Sequence, residues 1–132
     1  MRTLRCILLG LLLAAVVAGC AGASAGGGDP AAKAVETYLN AMVAQDSAKL
    51  SNATCKAFAD QATLDMDAFV GVKAQLQDLS CKQSGTSGGQ TQVGCTGKII
   101  ATYNNEQQQI DLAGRTYQVA QEGGEWRVCG YK

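Results

Sequence analysis

The sequence contains no histidine, one proline and one tryptophan, and only 5% of its 132 residues are aromatic. Without imidazole the chain can form neither a His-ligated metal site nor a catalytic triad that uses histidine as its base. Eleven Lys and Arg residues are balanced by eleven Asp and Glu residues, so there is no net charge with which to attract nucleic acid. With 47% hydrophobic residues the chain is too apolar to be intrinsically disordered, and its length allows one domain.

The first twenty residues combine a basic start with a short apolar run. Arg2 and Arg5 precede residues 7–18, a stretch of twelve apolar residues or glycines. A membrane-spanning helix needs about 20 apolar residues, whereas the apolar part of a secretory signal needs roughly 7–15. The run ends in Val-Ala-Gly-Cys at 17–20, which resembles the bacterial lipobox, whose cysteine receives a diacylglyceryl group before cleavage. We therefore expect a lipoprotein signal peptide at 1–19 and lipidation of Cys20; the alternative is an ordinary secreted protein with a cysteine after its cleavage site.

A lipid on Cys20 determines where the rest of the chain resides. One acyl chain binds a membrane only marginally, but two or three hold a protein there. Residues 20–29 then form the lipidated cysteine and a flexible Gly/Ala/Ser tether, because small side chains cannot offset ordering entropy by burial. We expect a folded extracytoplasmic domain at 30–132, in the cell envelope on the outer face of a bacterial membrane.

Helical periodicity marks the first half of this domain. Asp29 and Pro30 give an N-cap and a first helical residue, and apolar residues recur at helical spacing to about Gln45. Asp46 predicts the N-cap of a second, short helix. A third helix is expected from Cys55 to about Ala62, and one more helical turn within 65–72.

The second half changes to strand chemistry. Four strands are predicted, at Leu79–Ser84, Thr91–Tyr103, Glu106–Gln121 and Glu125–Tyr131. The dipeptides Asn104-Asn105 and Gly123-Gly124 tolerate the positive φ angles of two-residue hairpin turns. The asparagine turn places Lys98 opposite Asp111 and Ile99 opposite Ile110, an oppositely charged pair and an apolar pair. The predicted fold class is α+β, with N-terminal helices packed on a curved antiparallel four-stranded meander.

Four cysteines remain in the domain once Cys6 and Cys20 are set aside: Cys55, Cys81, Cys95 and Cys129. An even number outside the cytoplasm predicts two disulfides, and spacings of 26, 14 and 34 lack the close pairs of a zinc site. Cys81 and Cys95 are symmetric about Gly88, so the first hairpin sets them opposite each other and leaves Cys55 to pair with Cys129. A regular Gly123-Gly124 hairpin turns Cys129 away from the face of Val128. This pairing therefore needs a bulge, for which Ala113-Gly114 is a candidate, or a position of Cys129 where the sheet edge curls around the third helix.

The order of these elements resembles a known superfamily. A long amphipathic helix with Tyr38-Leu39-Asn40-Ala41, short helices after Asp46, and a last strand with Gly124-Glu125-Trp126-Arg127-Val128 are similar to the nuclear transport factor 2-like proteins, cone-shaped α+β rolls. The resemblance covers residues 30–132. The cysteine pattern and the Cys129-Gly130-Tyr131 ending resemble small bacterial lipoproteins of unassigned function within it.

The resemblance does not choose a function, since this superfamily hosts many. Enzymes in it use Asp, Tyr or His at the mouth of the cone, and the sequence offers no pair of converging carboxylates. Asp46 fits a helix cap better than a catalyst, and Asp65 and Asp67 fit a solvated loop. The candidate pocket residues, which supply hydrogen-bond donors and aromatic walls, are Tyr38, Tyr103, Arg115, Tyr117, Trp126 and Arg127.

The predicted function is a membrane-anchored, non-catalytic binding or interaction module. The alternative is a small pocket enzyme of the isomerase, cyclase or dehydratase type on the same fold. No catalytic residue, metal or cofactor is expected. The expected partners are the membrane, through Cys20, and a small apolar ligand or an envelope protein, with no nucleic acid; the sequence leaves the oligomeric state open, a dimer included.

Overall fold

The computed structural model describes residues 28–132, so the predicted signal peptide, Cys20 and the tether to residue 27 lie outside the described residues. The described chain is α+β: three helices pack on a five-stranded antiparallel sheet. Its elements, in chain order, are α1 (Pro30–Val43), α2 (Ser47–Ala53), a 3₁₀ turn (Lys56–Phe58), α3 (Ala59–Asp67), β1 (Lys73–Ser87), β2 (Gln90–Tyr103), β3 (Glu106–Asp111), β4 (Thr116–Glu122) and β5 (Glu125–Tyr131).

The first two helices begin at the predicted caps. The Asp29 carboxylate accepts a hydrogen bond from the N–H of Ala31 at 3.0 Å, and the Asp46 carboxylate accepts one from the N–H of Lys49 at 3.0 Å. The third helix differs from its prediction, because α3 starts after a 3₁₀ turn and runs past residue 62. The reason is a continuous buried stripe at helical spacing, formed by Phe58, Ala62, Met66 and Phe69.

The first strand is longer than predicted. It begins at Lys73 rather than Leu79, and half-buried Ala74 and Leu76 alternate with exposed polar residues along the added part. It also continues to Ser87, so the turn shrinks to Gly88-Gly89, both of which have positive φ. Cys81 nevertheless lies opposite Cys95 as predicted, because a register shift between Gln83 and Gly85 absorbs the difference.

The predicted third strand is interrupted, which gives five strands rather than four. Both resulting strands, β3 and β4, pair with β2, and the predicted pairs Lys98 with Asp111 and Ile99 with Ile110 are present. Between them the Asp111 carboxylate accepts a hydrogen bond from the N–H of Ala113 at 2.8 Å. This local bond competes with the sheet ladder and produces the irregularity at Ala113-Gly114.

A further bulge lies at Cys129. Val128 pairs with Val119, but Gly130 pairs with Gln118, so Cys129 is the extra residue of β5. A bulge re-aims its side chain, which turns Cys129 toward the Thr54–Cys55 segment. That segment runs along β5, where the N–H of Cys55 donates to the carbonyl of Val128 at 2.8 Å. The irregularity that lets Cys129 reach Cys55 is therefore at Cys129 itself, not at Ala113-Gly114.

Candidate functional site

A cluster of aromatic rings fills the space between α1 and the far end of the sheet. Tyr38 of α1 lies 6.2 Å from both Phe58 and Tyr117, measured between ring centroids. Tyr131 of β5 completes the cluster at 5.9 Å from Phe58 and 6.0 Å from Tyr117. Three of the four contacts are edge-to-face, the arrangement that aromatic quadrupoles favour. The interior at this point is occupied by protein, not open to a ligand.

One acidic and one basic side chain border the cluster. The Asp65 carboxylate of α3 accepts hydrogen bonds from the Tyr38 hydroxyl at 3.3 Å and from the Gln61 amide at 2.9 Å. The guanidinium of Arg115 lies over the Tyr131 ring, 4.8 Å from its centroid. Both charged residues are half-buried, so they combine fixed positions with access to solvent.

Asp65 and Arg115 also line a cavity of about 170 Å³. Its remaining walls are apolar and come from Met42, Ala68, Phe69, Ile99 and Ile110. Typical ligand pockets measure roughly 300–1,000 Å³. The cavity therefore suits a small apolar group that carries one polar function.

The tyrosine hydroxyls at this site are held in their protonated form. Burial raises the pKa of Tyr38, and the negative charge of Asp65 raises it further. Burial also raises the pKa of Tyr117, partly opposed by the positive charge of Arg115, and burial and Asp65 raise the pKa of Tyr131. At neutral pH these groups are hydrogen-bond donors and acceptors rather than bases.

The Tyr117 hydroxyl has no hydrogen-bond partner among residues 28–132, although the side chain is fully buried. The guanidinium of Arg115 lies nearby, and its positive charge lowers the pKa of this hydroxyl in opposition to burial. A buried donor without a partner carries an unrecovered desolvation cost. At the centre of the cluster, close packing of the rings therefore leaves the Tyr117 hydroxyl without a hydrogen bond.

Three of the six predicted pocket residues meet here, namely Tyr38, Arg115 and Tyr117. The other three do not: Tyr103 is 40% exposed at the end of β2, Trp126 faces the helices α1 and α2, and Arg127 pairs with Glu125 at 3.4 Å. The six residues therefore lie at separate places, on α1, on the sheet and in the connection between β3 and β4.

Sequence reasoning missed Asp65, which it treated as a loop residue. The signal was the stripe Phe58, Ala62, Met66 and Phe69, which extends α3 through Asp65 and brings its carboxylate beside the core. Asp46, in contrast, caps α2 as predicted, and its side chain also pairs with Lys49 at 3.0 Å.

Two disulfides join the predicted partners, Cys55 with Cys129 and Cys81 with Cys95. Such bonds form and persist in oxidising compartments, so they indicate an extracytoplasmic location. Within residues 28–132, no helix is long and apolar enough to cross a membrane. The same residues contain no group of three His, Cys, Asp or Glu side chains that could hold a metal ion.

Compared with known protein families and with curated proteins, the chain matches none.

Proposed function

We propose that this chain is a lipoprotein of the bacterial cell envelope, anchored through Cys20, whose domain binds a small ligand without turning it over. Two features support the location: the Val-Ala-Gly-Cys sequence at 17–20 and the two disulfides. The observation that carries the binding role is the cavity beside Asp65 and Arg115, since it combines apolar walls with one acceptor and one donor.

The lining indicates the class of ligand. A hydroxyl group can donate a hydrogen bond to the Asp65 carboxylate and accept one from the Arg115 guanidinium. A charged group would satisfy one of these residues and be repelled by the other. The apolar walls suit a small ring or a branched alkyl group. The ligand is therefore a small, neutral, largely apolar molecule with a hydroxyl function.

The polar groups beside the cavity are poorly suited to catalysis, because they are already hydrogen-bonded to each other or held protonated. Asp65 accepts hydrogen bonds from Tyr38 and Gln61, and the raised pKa of Tyr38 keeps its hydroxyl protonated. General base catalysis needs a group that takes a proton near working pH. The aromatic cluster also occupies the interior in which a substrate would react.

We also propose that the domain is a nuclear transport factor 2-like roll. The long helix α1, the two short helices after it and the antiparallel sheet against which they pack support this assignment. Alternatively, the domain binds an envelope protein instead of a small ligand, and the cavity beside Asp65 then stays empty.

Saturation-transfer NMR with cyclohexanol tests the binding role. We expect saturation transfer to cyclohexanol and a Kd in the millimolar range, which suits a ligand of seven non-hydrogen atoms. Ala68→Leu should abolish it, because Ala68 is exposed and lines the cavity, so the larger side chain fills the space without disturbing the core.

Ala57→Leu is the matched control, since Ala57 is also exposed but lies in the 3₁₀ turn away from the cavity lining. The control should bind cyclohexanol as the unchanged protein does. Absence of transfer, or equal transfer in both variants, would contradict the proposed site.

The 3.3 Å contact between Tyr38 and Asp65 favours a second candidate, a pocket enzyme of the isomerase, cyclase or dehydratase type. This candidate requires Asp65 to move a proton. A substrate whose turnover disappears in Asp65→Asn while the melting temperature is unchanged would establish it and displace the binding role.

A further inference from the structure

A groove runs along the exposed side of α1, away from the tyrosine cluster. It consists of two adjoining cavities of about 420 and 180 Å³, and both are lined by Thr37 of α1 and Lys49 of α2. The smaller cavity is completed by Ala34, Asn52, Ala53 and Trp126. The groove therefore joins the outer surface of the helix pair to the last strand of the sheet.

Trp126 forms one end of this groove. It is the only tryptophan of the chain, it lies on β5 opposite Gln121, and it is half-buried. Beside it the floor is made of Ala34 and Ala53, both buried small residues that keep the groove open. A partly accessible indole above a small-residue floor offers a flat apolar surface with a polar N–H at its edge.

The charges in the groove cancel. Its lining includes two cations, Lys33 and Lys49, and two anions, Glu36 and Asp46. Asp46 is paired with Lys49 at 3.0 Å, and Glu36 accepts a hydrogen bond from the backbone N–H of Cys81 at 3.1 Å. The lining has no excess of either charge to favour an anionic or a cationic ligand, so it suits a neutral molecule.

The uncharged polar side chains of the lining carry hydroxyl and amide groups. The Thr37 hydroxyl donates to the carbonyl of Lys33 at 2.9 Å, which leaves its lone pairs free to accept. Asn40 donates to the carbonyl of Glu36 at 2.7 Å, which leaves its side-chain oxygen free. Asn52 is exposed and offers both a donor and an acceptor. Hydrogen-bond acceptors, together with the donor of Asn52, beside an aromatic face match a molecule with many hydroxyls.

We propose that this groove binds a neutral oligosaccharide. The apolar C–H face of one sugar ring packs on the Trp126 indole, and its hydroxyls exchange hydrogen bonds with Asn52 and Thr37. The next rings extend along α1 toward Asn40, where the larger cavity provides room. This site is separate from the cavity beside Asp65, and its occupation does not depend on the function proposed there.

The single tryptophan makes binding directly measurable. The full chain, kept in a detergent without a sugar head group if it is recovered from membranes, is titrated with tri-N-acetylchitotriose and, separately, with cellotriose, up to about 20 mM. We expect a saturable change in tryptophan emission with at least one of these sugars. No change with either sugar would overturn the proposal.

Variants place the bound sugar, with affinity measured by calorimetry so that no fluorophore is needed. Asn52→Ala replaces an exposed helix residue by a good helix former and removes one hydrogen-bonding group, so affinity should fall about fivefold. Trp126→Phe should weaken binding by a similar or larger factor, because the smaller ring covers less of the sugar.

Gln107→Ala, an exposed change on β3, is the matched control and should leave affinity unchanged. Thr37→Val tests the groove again without altering side-chain size. Sugar binding that is equal in Asn52→Ala, Thr37→Val and the control would place the sugar elsewhere and refute this site.

Discussion

Removing the Tyr117 hydroxyl should stabilise the protein. This side chain is fully buried and its hydroxyl has no hydrogen-bond partner among residues 28–132. An unsatisfied buried polar group costs about 1–3 kcal/mol of folding free energy. Tyr117→Phe keeps the ring contacts with Tyr38 and Tyr131 at 6.2 and 6.0 Å and removes that cost. We expect the free energy of unfolding to rise by about 1 kcal/mol or more.

Tyr38→Phe is the matched comparison, because it removes the same atom from a neighbouring ring. The Tyr38 hydroxyl donates to Asp65 at 3.3 Å, so its loss breaks a hydrogen bond. A typical bond of this kind contributes about 1 kcal/mol. The two variants should therefore differ by about 2 kcal/mol, with opposite signs relative to the unchanged protein.

Urea unfolding of the oxidised protein measures both changes, and calorimetry gives a second reading. For a domain of this size 1 kcal/mol corresponds to a shift of about 4–8 °C in melting temperature. Tyr103→Phe, at a side chain 40% exposed, should change neither quantity. If Tyr117→Phe destabilised the protein as much as Tyr38→Phe, the Tyr117 hydroxyl would have a partner and the reasoning would fail.

Three further predictions concern stability. The pKa values of Tyr38 and Tyr117 are raised above about 10, which is their value in an unfolded chain, so the unfolded state loses these protons first. The free energy of unfolding in urea should be steady below pH 10 and should fall above it, by up to about 1.4 kcal/mol per pH unit for each tyrosine. A free energy of unfolding that is steady to pH 11 would contradict this. Gly97→Ala should cost at least about 2 kcal/mol, since Gly97 has φ +100° and a Cβ there would lie 2.6 Å from backbone oxygens of β1; Gly94→Ala, with open space, is its control in the same urea assay. Replacing both cysteines of the Cys55–Cys129 disulfide by serine should lower the free energy of unfolding by about 4.5 kcal/mol in the loop-entropy model. This is about 1.5 kcal/mol more than for the Cys81–Cys95 disulfide, which closes a shorter loop. Denaturation curves that reverse this order would count against an entropic origin of the stabilisation.

Local chemistry made part of the fold predictable. Asp29 and Asp46 start their helices because each carboxylate has a backbone N–H two or three residues ahead to accept from. The Asn104-Asn105 turn fixed the register of β2 with β3, because both residues adopt the positive φ that a two-residue hairpin needs. In these places the structure is decided by neighbouring residues.

Tertiary packing decided the rest. The length of α3 depends on Met66 and Phe69 burying against the core, and this extension brings Asp65 to Tyr38. The bulge at Cys129 lets the bridge to Cys55 form, and no local turn signal announces it. The site was only half predictable for the same reason: residue types suggested aromatic and basic candidates, but strand position separated Tyr103 and Trp126 from the cluster.

The intact mass of the protein extracted from membranes tests most directly whether the domain is held outside the cytoplasm by lipid. We expect a chain that begins at Cys20, carries acyl groups, and is four hydrogens lighter than the reduced form because of its two disulfides. Cys20→Ala should leave the precursor uncleaved. A soluble mature chain with an unmodified Cys20 thiol would contradict the lipid anchor.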